Sequence, residues 1–152
     1  RLLLPNALDA LVTRLLPLAH LVTPNIPEAE VLSGLSIAGP KDMAEAARRI
    51  LGLGGRFVAI KGGHLDAPEA TDLLVGPDTL ETFSTPRLAT KNTHGTGCTY
   101  SSAIVAYLAK GFETVEAVRA AKEYVTGAIR HGFSLGQGRG PLNHFWKLQQ
   151  GS

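Results

Sequence analysis

Little in this sequence could staple it, span a membrane with it or bind by bulk charge. A single cysteine, Cys98, stands among 152 residues. An internal disulfide and every zinc site built on a cysteine cluster are therefore excluded, and the expected compartment is reducing and cytoplasmic. Charged residues make up 18% of the chain, below the roughly 25% of an average globular protein. The net charge is +2 and the basic residues are scattered, so no nucleic-acid footprint forms. No apolar run approaches the roughly 18–20 residues that a membrane-spanning helix needs; the stretch from Leu15 to Val22 is broken by Pro17 and His20. Neither nucleic acid nor membrane is an expected partner. No Gly-Lys pair occurs, which excludes a Walker A loop. HExxH and GxSxG are missing too, so zinc-protease and serine-hydrolase readings have no support. His20, His131 and His144 fall in no ligand pattern.

What is present is enough for a core. Hydrophobic residues are 44% of the chain, and a compact chain of this length buries roughly 68–70% of its unfolded surface. The chain starts Arg1-Leu2-Leu3-Leu4-Pro5. That order lacks the charged, apolar and small-residue regions of a signal peptide, and the expectation is that it begins inside a protein.

Apolar spacing predicts a helix over 6–18 with Asn6 as its N-cap. A short buried strand follows over 20–23, stopped by Pro24, and a short helix over 25–32 that ends at Gly34. A helix over 41–53 carries Met43, Ala46, Ala47, Ile50 and Leu51 on one face. Arg56 to Lys61 reads as a strand ended by Gly62-Gly63, and strands over 71–75 and 79–83 flank Gly76-Pro77-Asp78 as a hairpin. Helices over 96–108 and 113–130 are divided by Lys110-Gly111. Strands alternating with helices, then a hairpin, predict an α/β fold with a mostly parallel sheet and an antiparallel portion. Ligands in such folds bind beyond the carboxyl ends of strands, which directs attention to 23–28, 61–65 and 91–98.

Three segments there carry chemistry. In Asn92-Thr93-His94-Gly95-Thr96-Gly97-Cys98-Thr99 two glycines flank Thr96 at the start of a small-residue helix. Glycine lets a ligand approach the backbone, and helix-start N–H groups converge on an anion. Cys98 falls in the first turn. The alternative is a Gly-rich turn with a buried structural cysteine. With Tyr at position 100, a dinucleotide-binding GxGxxG fails. In Thr23-Pro24-Asn25-Ile26-Pro27-Glu28, Asn25 and Glu28 offer hard oxygen donors that suit Mg²⁺ through retained waters; the same pair also spells a capping box. In Lys61-Gly62-Gly63-His64, a lysine ending a buried strand either reaches bound phosphates as a point charge or sits on the surface before a tight turn.

Together, the three segments resemble the hydroxymethylpyrimidine/phosphomethylpyrimidine kinases of thiamine biosynthesis, members of the ribokinase-like superfamily. The resemblance runs from about Leu3 to about Phe145 and includes Gly140-Pro141-Leu142-Asn143-His144. His-Gly-Thr-Gly-Cys is its most specific piece; sugar kinases of the superfamily typically have Asp where this chain has Cys98. The resemblance implies a ribokinase-like three-layer fold and phosphorylation of 4-amino-5-hydroxymethyl-2-methylpyrimidine, then of its monophosphate, by ATP with Mg²⁺. It implies that Cys98 is the general base and that Gly95, Thr96 and Gly97 form the anion hole around the transferring phosphoryl group. Lys61, Gly63, Thr93 and His94 would hold the nucleotide. Asn25 and Glu28 would organise Mg²⁺ and its waters, a role compatible with capping. A homodimer is also implied. Only the C-terminal portion of the family's chains is matched, so residues 1–152 are expected to be that portion of a single kinase domain. The family's N-terminal segment, with its Gly-Ser-Asp start and most of its pyrimidine-contacting side chains, is expected upstream of Arg1. The rival readings are a pyridoxal kinase of the same superfamily and a non-catalytic nucleotide-binding module.

Overall fold

A computed structural model describes residues 5–65 and 67–150. The residues where the resemblance begins, 1–4, lie outside the described ones. The chain divides into two compact units, 1–84 and 85–152.

The first unit is built on a sheet of four strands in the order β1-β2-β3-β4: β1 (Leu21–Val22), β2 (Phe57–Lys61), β3 (Glu69–Gly76) and β4 (Thr79–Pro86). β1 and β2 are parallel, with Leu21 opposite Phe57. β2 and β3 are antiparallel, with Lys61 opposite Asp72. The sheet is therefore mixed, and its parallel part is the β1–β2 pair. Pro77-Asp78 closes the β3–β4 hairpin where it was expected, with Asp78 at φ 52°.

α1 (Pro5–Ala10) is followed by a π-helical turn over Leu11–Leu15 and a 3-10 turn over Leu16–Leu18. The stretch is helical throughout, as its spacing predicts. Its first helical residue is Pro5, which suits that place because proline presets φ and has no N–H to lose. Asn6 is thus inside the helix and not its N-cap. α2 (Ile26–Ser33) and α3 (Pro40–Leu51) pack on each other and on β2. α3 buries Met43, Ala46, Ala47 and Ile50, the face the sequence marks out. These join Ile26, Ala29, Val58, Ile60, Leu73 and Val75 in one core. The other side of the pleat, through Phe57, Ala59 and Leu74, is buried as well. That two-sided burial explains why β2 reads as a continuous apolar run.

The second unit is a helical hairpin, α4 (Thr96–Ala109) and α5 (Thr114–Arg130), with the C-terminal segment laid against α5. Tyr100, Ala103, Ile104, Ala117, Val118, Ala121, Val125, Ala128 and Leu142 are its buried apolar residues, and the alanines among them permit close helix packing. The C-terminal segment is fixed by polar bonds: the Asn143 amide donates to the Ala128 carbonyl (3.0 Å), and Trp146 Nε1 donates to the Tyr124 carbonyl (3.0 Å). The Trp146 ring stacks on His131 with centroids 5.5 Å apart. Among the described residues no helix is long and apolar enough to cross a membrane.

Candidate functional site

In the first unit the chemistry-bearing residues gather at one end of the sheet. β1 stops because Pro24 cannot continue it, and the chain turns into α2. Asn25 caps that helix: its Oδ1 accepts from the Glu28 amide (2.9 Å), while Glu28 Oε2 accepts from the Asn25 amide (2.8 Å). The capping box is thus formed in full. Asn25 also makes an isolated parallel bridge with Lys61, and the Lys61 amide donates to the Pro24 carbonyl (2.9 Å). The start of α2 and the end of β2 are thereby held side by side, which brings together Asn25, Glu28 and Lys61.

Beyond Lys61 the backbone enters a 3-10 turn, Gly62–His64, that includes Gly63. A Cβ on Gly62 would run into the Thr71 carbonyl oxygen, so only glycine fits. The same Gly62 amide donates to Asp72 Oδ1 (3.0 Å). Asp72 is 4% exposed and stands opposite Lys61 in the β2–β3 register. Cross-strand partners have Cβ atoms roughly 4.5–5.5 Å apart, so a buried carboxylate faces the lysine. Sequence reasoning missed Asp72. The available signal is an acid within the otherwise apolar Thr71-Asp72-Leu73-Leu74-Val75 strand.

In the second unit the residues Thr93 to Cys98 form one turn. It is not the direct end of a strand, as the sequence reading had it: β4 ends at Pro86, and nine residues of loop, 87–95, precede α4. Gly95 takes the N-cap position at φ 85°, a left-handed conformation that glycine adopts without the steric cost a side chain would add. The Thr96 hydroxyl donates to the Thr93 carbonyl (2.8 Å), and the Thr96 amide points to the same oxygen (3.3 Å). The next amides, of Gly97 and Cys98, lie beyond the reach of the helix's own carbonyls. No acidic residue occupies the first turn of α4, so nothing there neutralises the positive end of the helix dipole. His94 is exposed; its amide donates to the Gly140 carbonyl (3.1 Å).

Cys98 is exposed, which removes the buried structural reading of this thiol. It lies at one end of a groove of about 470 Å³ along α4, bordered also by Thr99, Ser102, Tyr107, Lys110 and Tyr124. Among the described residues no group of three or more His, Cys, Asp and Glu could hold a metal ion. The donors at Asn25 and Glu28 fit only an ion that takes few protein oxygens and keeps its waters, which is the habit of Mg²⁺.

The first unit offers a sheet-end lysine beside a capped helix and the second a glycine turn that opens a helix onto an exposed thiol, features that suit an anionic ligand such as phosphate. Kinases are therefore the class to compare. Solved structures of that class share the fold. The ADP complex of Bacillus subtilis pyridoxal kinase superimposes with a TM-score of 0.92 at 42% identity, over 97% of this chain and 58% of that one. A Staphylococcus aureus pyridoxal kinase in complex with AMP-PCP and pyridoxal gives 0.88 at 39% identity, over 92% of this chain and 53% of that one. The architecture is that of the ribokinase-like kinases, as expected.

Within that class the chain belongs to the phosphomethylpyrimidine kinase family, whose sequence model matches residues 1–143. It is 50% identical to a hydroxymethylpyrimidine/phosphomethylpyrimidine kinase of Rhizobium meliloti, over 96% of this chain and 57% of that protein. It is 53% identical to a thiamine biosynthesis bifunctional protein ThiED of Geobacter sulfurreducens, over 91% of this chain and 28% of that protein. The chain spans little more than half the length of its single-function relatives, 57% and 54%.

Proposed function

We propose that the chain is the C-terminal portion of a cytoplasmic kinase that phosphorylates 4-amino-5-hydroxymethyl-2-methylpyrimidine, and then its monophosphate, with ATP. The observation that carries this reading is the turn from Thr93 to Cys98. It presents helix-start amides that the helix's own carbonyls do not take and an exposed thiol within one helical turn, with no acid in that turn.

In this reading the substrate hydroxymethyl oxygen attacks the γ-phosphorus, its proton passes to the deprotonated Cys98 sulfur, and ADP leaves. Phosphoryl transfer asks the protein for alignment and charge stabilisation more than for covalent help. The turn Gly95-Thr96-Gly97 supplies fixed N–H dipoles for the equatorial oxygens, and such pre-set donors need no reorganisation as charge develops. Lys61 neutralises charge on the leaving phosphates, with Asp72 holding both it and the Gly62 turn in place. Gly63, Thr93 and His94 complete the nucleotide contacts. Asn25 and Glu28 would hold the waters of Mg²⁺, which when bound spreads the phosphate charge. The capping box leaves this open: Glu28 uses Oε2 in the cap, and its second oxygen remains to take a water. Association into a homodimer is part of the same proposal.

The Bacillus subtilis and Staphylococcus aureus likenesses favour one second reading, phosphorylation of pyridoxal, because both relatives are pyridoxal kinases. The test is an ATP-to-ADP assay on a polypeptide in which the N-terminal portion of the Rhizobium meliloti relative precedes Arg1. Turnover that depends on the hydroxymethylpyrimidine and exceeds turnover on pyridoxal supports the proposal. The reverse preference selects the second reading. A folded protein that binds ADP and transfers to neither alcohol overturns both.

A further inference from the structure

We infer that Asn92 is a positioning residue: through its buried side chain, the C-terminal segment 132–141 sets the geometry of the Gly95–Cys98 turn. The inference rests on the kinase reading for its catalytic consequence, but its structural part stands alone.

Asn92 is 8% exposed, an uncommon place for an amide in a loop. Its backbone amide donates to the Thr90 hydroxyl (3.1 Å), and its Nδ2 donates to the Ser134 hydroxyl (3.3 Å), across 42 residues of sequence. Two glycines make room for it. A Cβ on Gly140 would run into Asn92 Oδ1 and the Phe133 carbonyl oxygen, and one on Gly132 would stand 2.8 Å from the Asn92 Cβ. Glycine at both places lets the segment close over the side chain. The closure is then sealed by backbone bonds. The Phe133 amide donates to the Pro141 carbonyl (3.0 Å), the His94 amide donates to the Gly140 carbonyl (3.1 Å), and His94 bridges Pro141 in parallel register.

Asn92 therefore lies under a ring of contacts that ends at His94, one residue before the left-handed Gly95. No strand holds this approach; β4 ended at Pro86. The Asn92 clamp takes the place that a sheet ladder has at Lys61. This also gives a use to the glycine-rich tail Ser134–Gly140, which the assigned chemistry leaves unexplained. Displacing a group that aligns phosphoryl transfer by about 1 Å can cost on the order of 10²-fold in rate, so loosening this approach should be read in kcat.

The test compares wild type, Asn92→Ala and Ser134→Ala. Ser134 is exposed, so its variant removes the amide's acceptor with little risk to folding. Amide hydrogen exchange on the 152-residue chain should speed up locally at 94–98 while 118–125 in α5 keeps its protection. Asn92→Ala should show the larger effect. In the fused kinase described above, kcat per ADP-binding site should fall about tenfold or more for Asn92→Ala and less for Ser134→Ala. A role in stability alone predicts a lower melting temperature with unchanged kcat per site and uniformly raised exchange; that outcome overturns the inference. If Asn92→Ala does not fold, Ser134→Ala decides by the same two readouts. If the wild-type protein transfers no phosphate, the kinase reading fails, and retained protection at 94–98 in the variants still counts against the clamp.

Discussion

In the proposed reading the Lys61 end of the sheet and the Gly95 turn handle the same kind of charge, and the two are built differently. Lys61 stands on a ladder. β2 is paired on both edges, buried on both faces, and backed by Asp72 in register. Its position follows from regular hydrogen bonding that many residues share. The Gly95 turn stands on a loop. It depends on one left-handed glycine, one threonine that folds back on Thr93, and a buried amide gripping a distant segment. A ladder spreads its tolerance over many bonds, whereas a clamp concentrates it in a few. Substitutions in the first region should therefore be felt mainly in stability and nucleotide affinity, and in the second mainly in turnover.

The largest expected effect is at the turn. Cys98→Ala in the fused kinase should lower kcat by about 10²–10⁴-fold, the usual worth of a general base, with ADP affinity unchanged by calorimetry. A kcat within a few-fold of wild type would take Cys98 out of the mechanism and blur the contrast between the two regions. Next comes Gly62→Ala. Its Cβ would meet the Thr71 carbonyl, which is backbone and cannot swing aside; overpacking of this kind costs about 1–3 kcal/mol. A urea titration measures it, and an unshifted midpoint would show that the β2–β3 ladder gives more than the geometry implies.

Glu28→Gln separates metal from cap. Glutamine can still accept from the Asn25 amide in a capping box, so the melting temperature should hold while the Mg²⁺ concentration for half-maximal rate rises. An unmoved magnesium titration would leave Glu28 with its cap alone, worth about 0.5–2 kcal/mol by the usual measure for Asn25→Ala. The smallest effect expected is for Asp72→Asn, which keeps the acceptor for the Gly62 amide but removes the charge facing Lys61. KM for ATP should shift severalfold with kcat nearly constant. A fall in stability without a KM shift would reduce Asp72 to a turn anchor.

The same contrast decides what could be read from the sequence. β2, α3 and the β3–β4 hairpin are local: apolar periodicity, Gly-Gly and Pro-Asp mark their bounds within the residues themselves. The capping box is equally local, since Asn25 and Glu28 are three residues apart. The Thr93–Cys98 stretch was legible as a helix start, and Cys98 does fall in the first turn of α4. Its support was not. Asn92 and Ser134 are 42 residues apart, and no periodicity links an asparagine to a glycine-rich tail. Asp72 was hidden for a related reason. A lone acid in an apolar strand gains meaning only from register, which puts it across from Lys61. Asn6 was read as a cap because helix entry was placed after it, whereas the first helical residue is Pro5.

The central claim is that these residues are the phosphate-handling half of a pyrimidine kinase. It is tested most directly by following ADP release with hydroxymethylpyrimidine as acceptor, for the 152-residue chain alone and for the same chain preceded by the Rhizobium meliloti N-terminal portion. The account predicts no substrate-dependent release from the chain alone, because alignment of the acceptor supplies much of the rate, and clear release from the fused protein. Turnover by the chain alone at the rate of an intact kinase would contradict it, as would a fused protein that binds ADP and transfers to no acceptor.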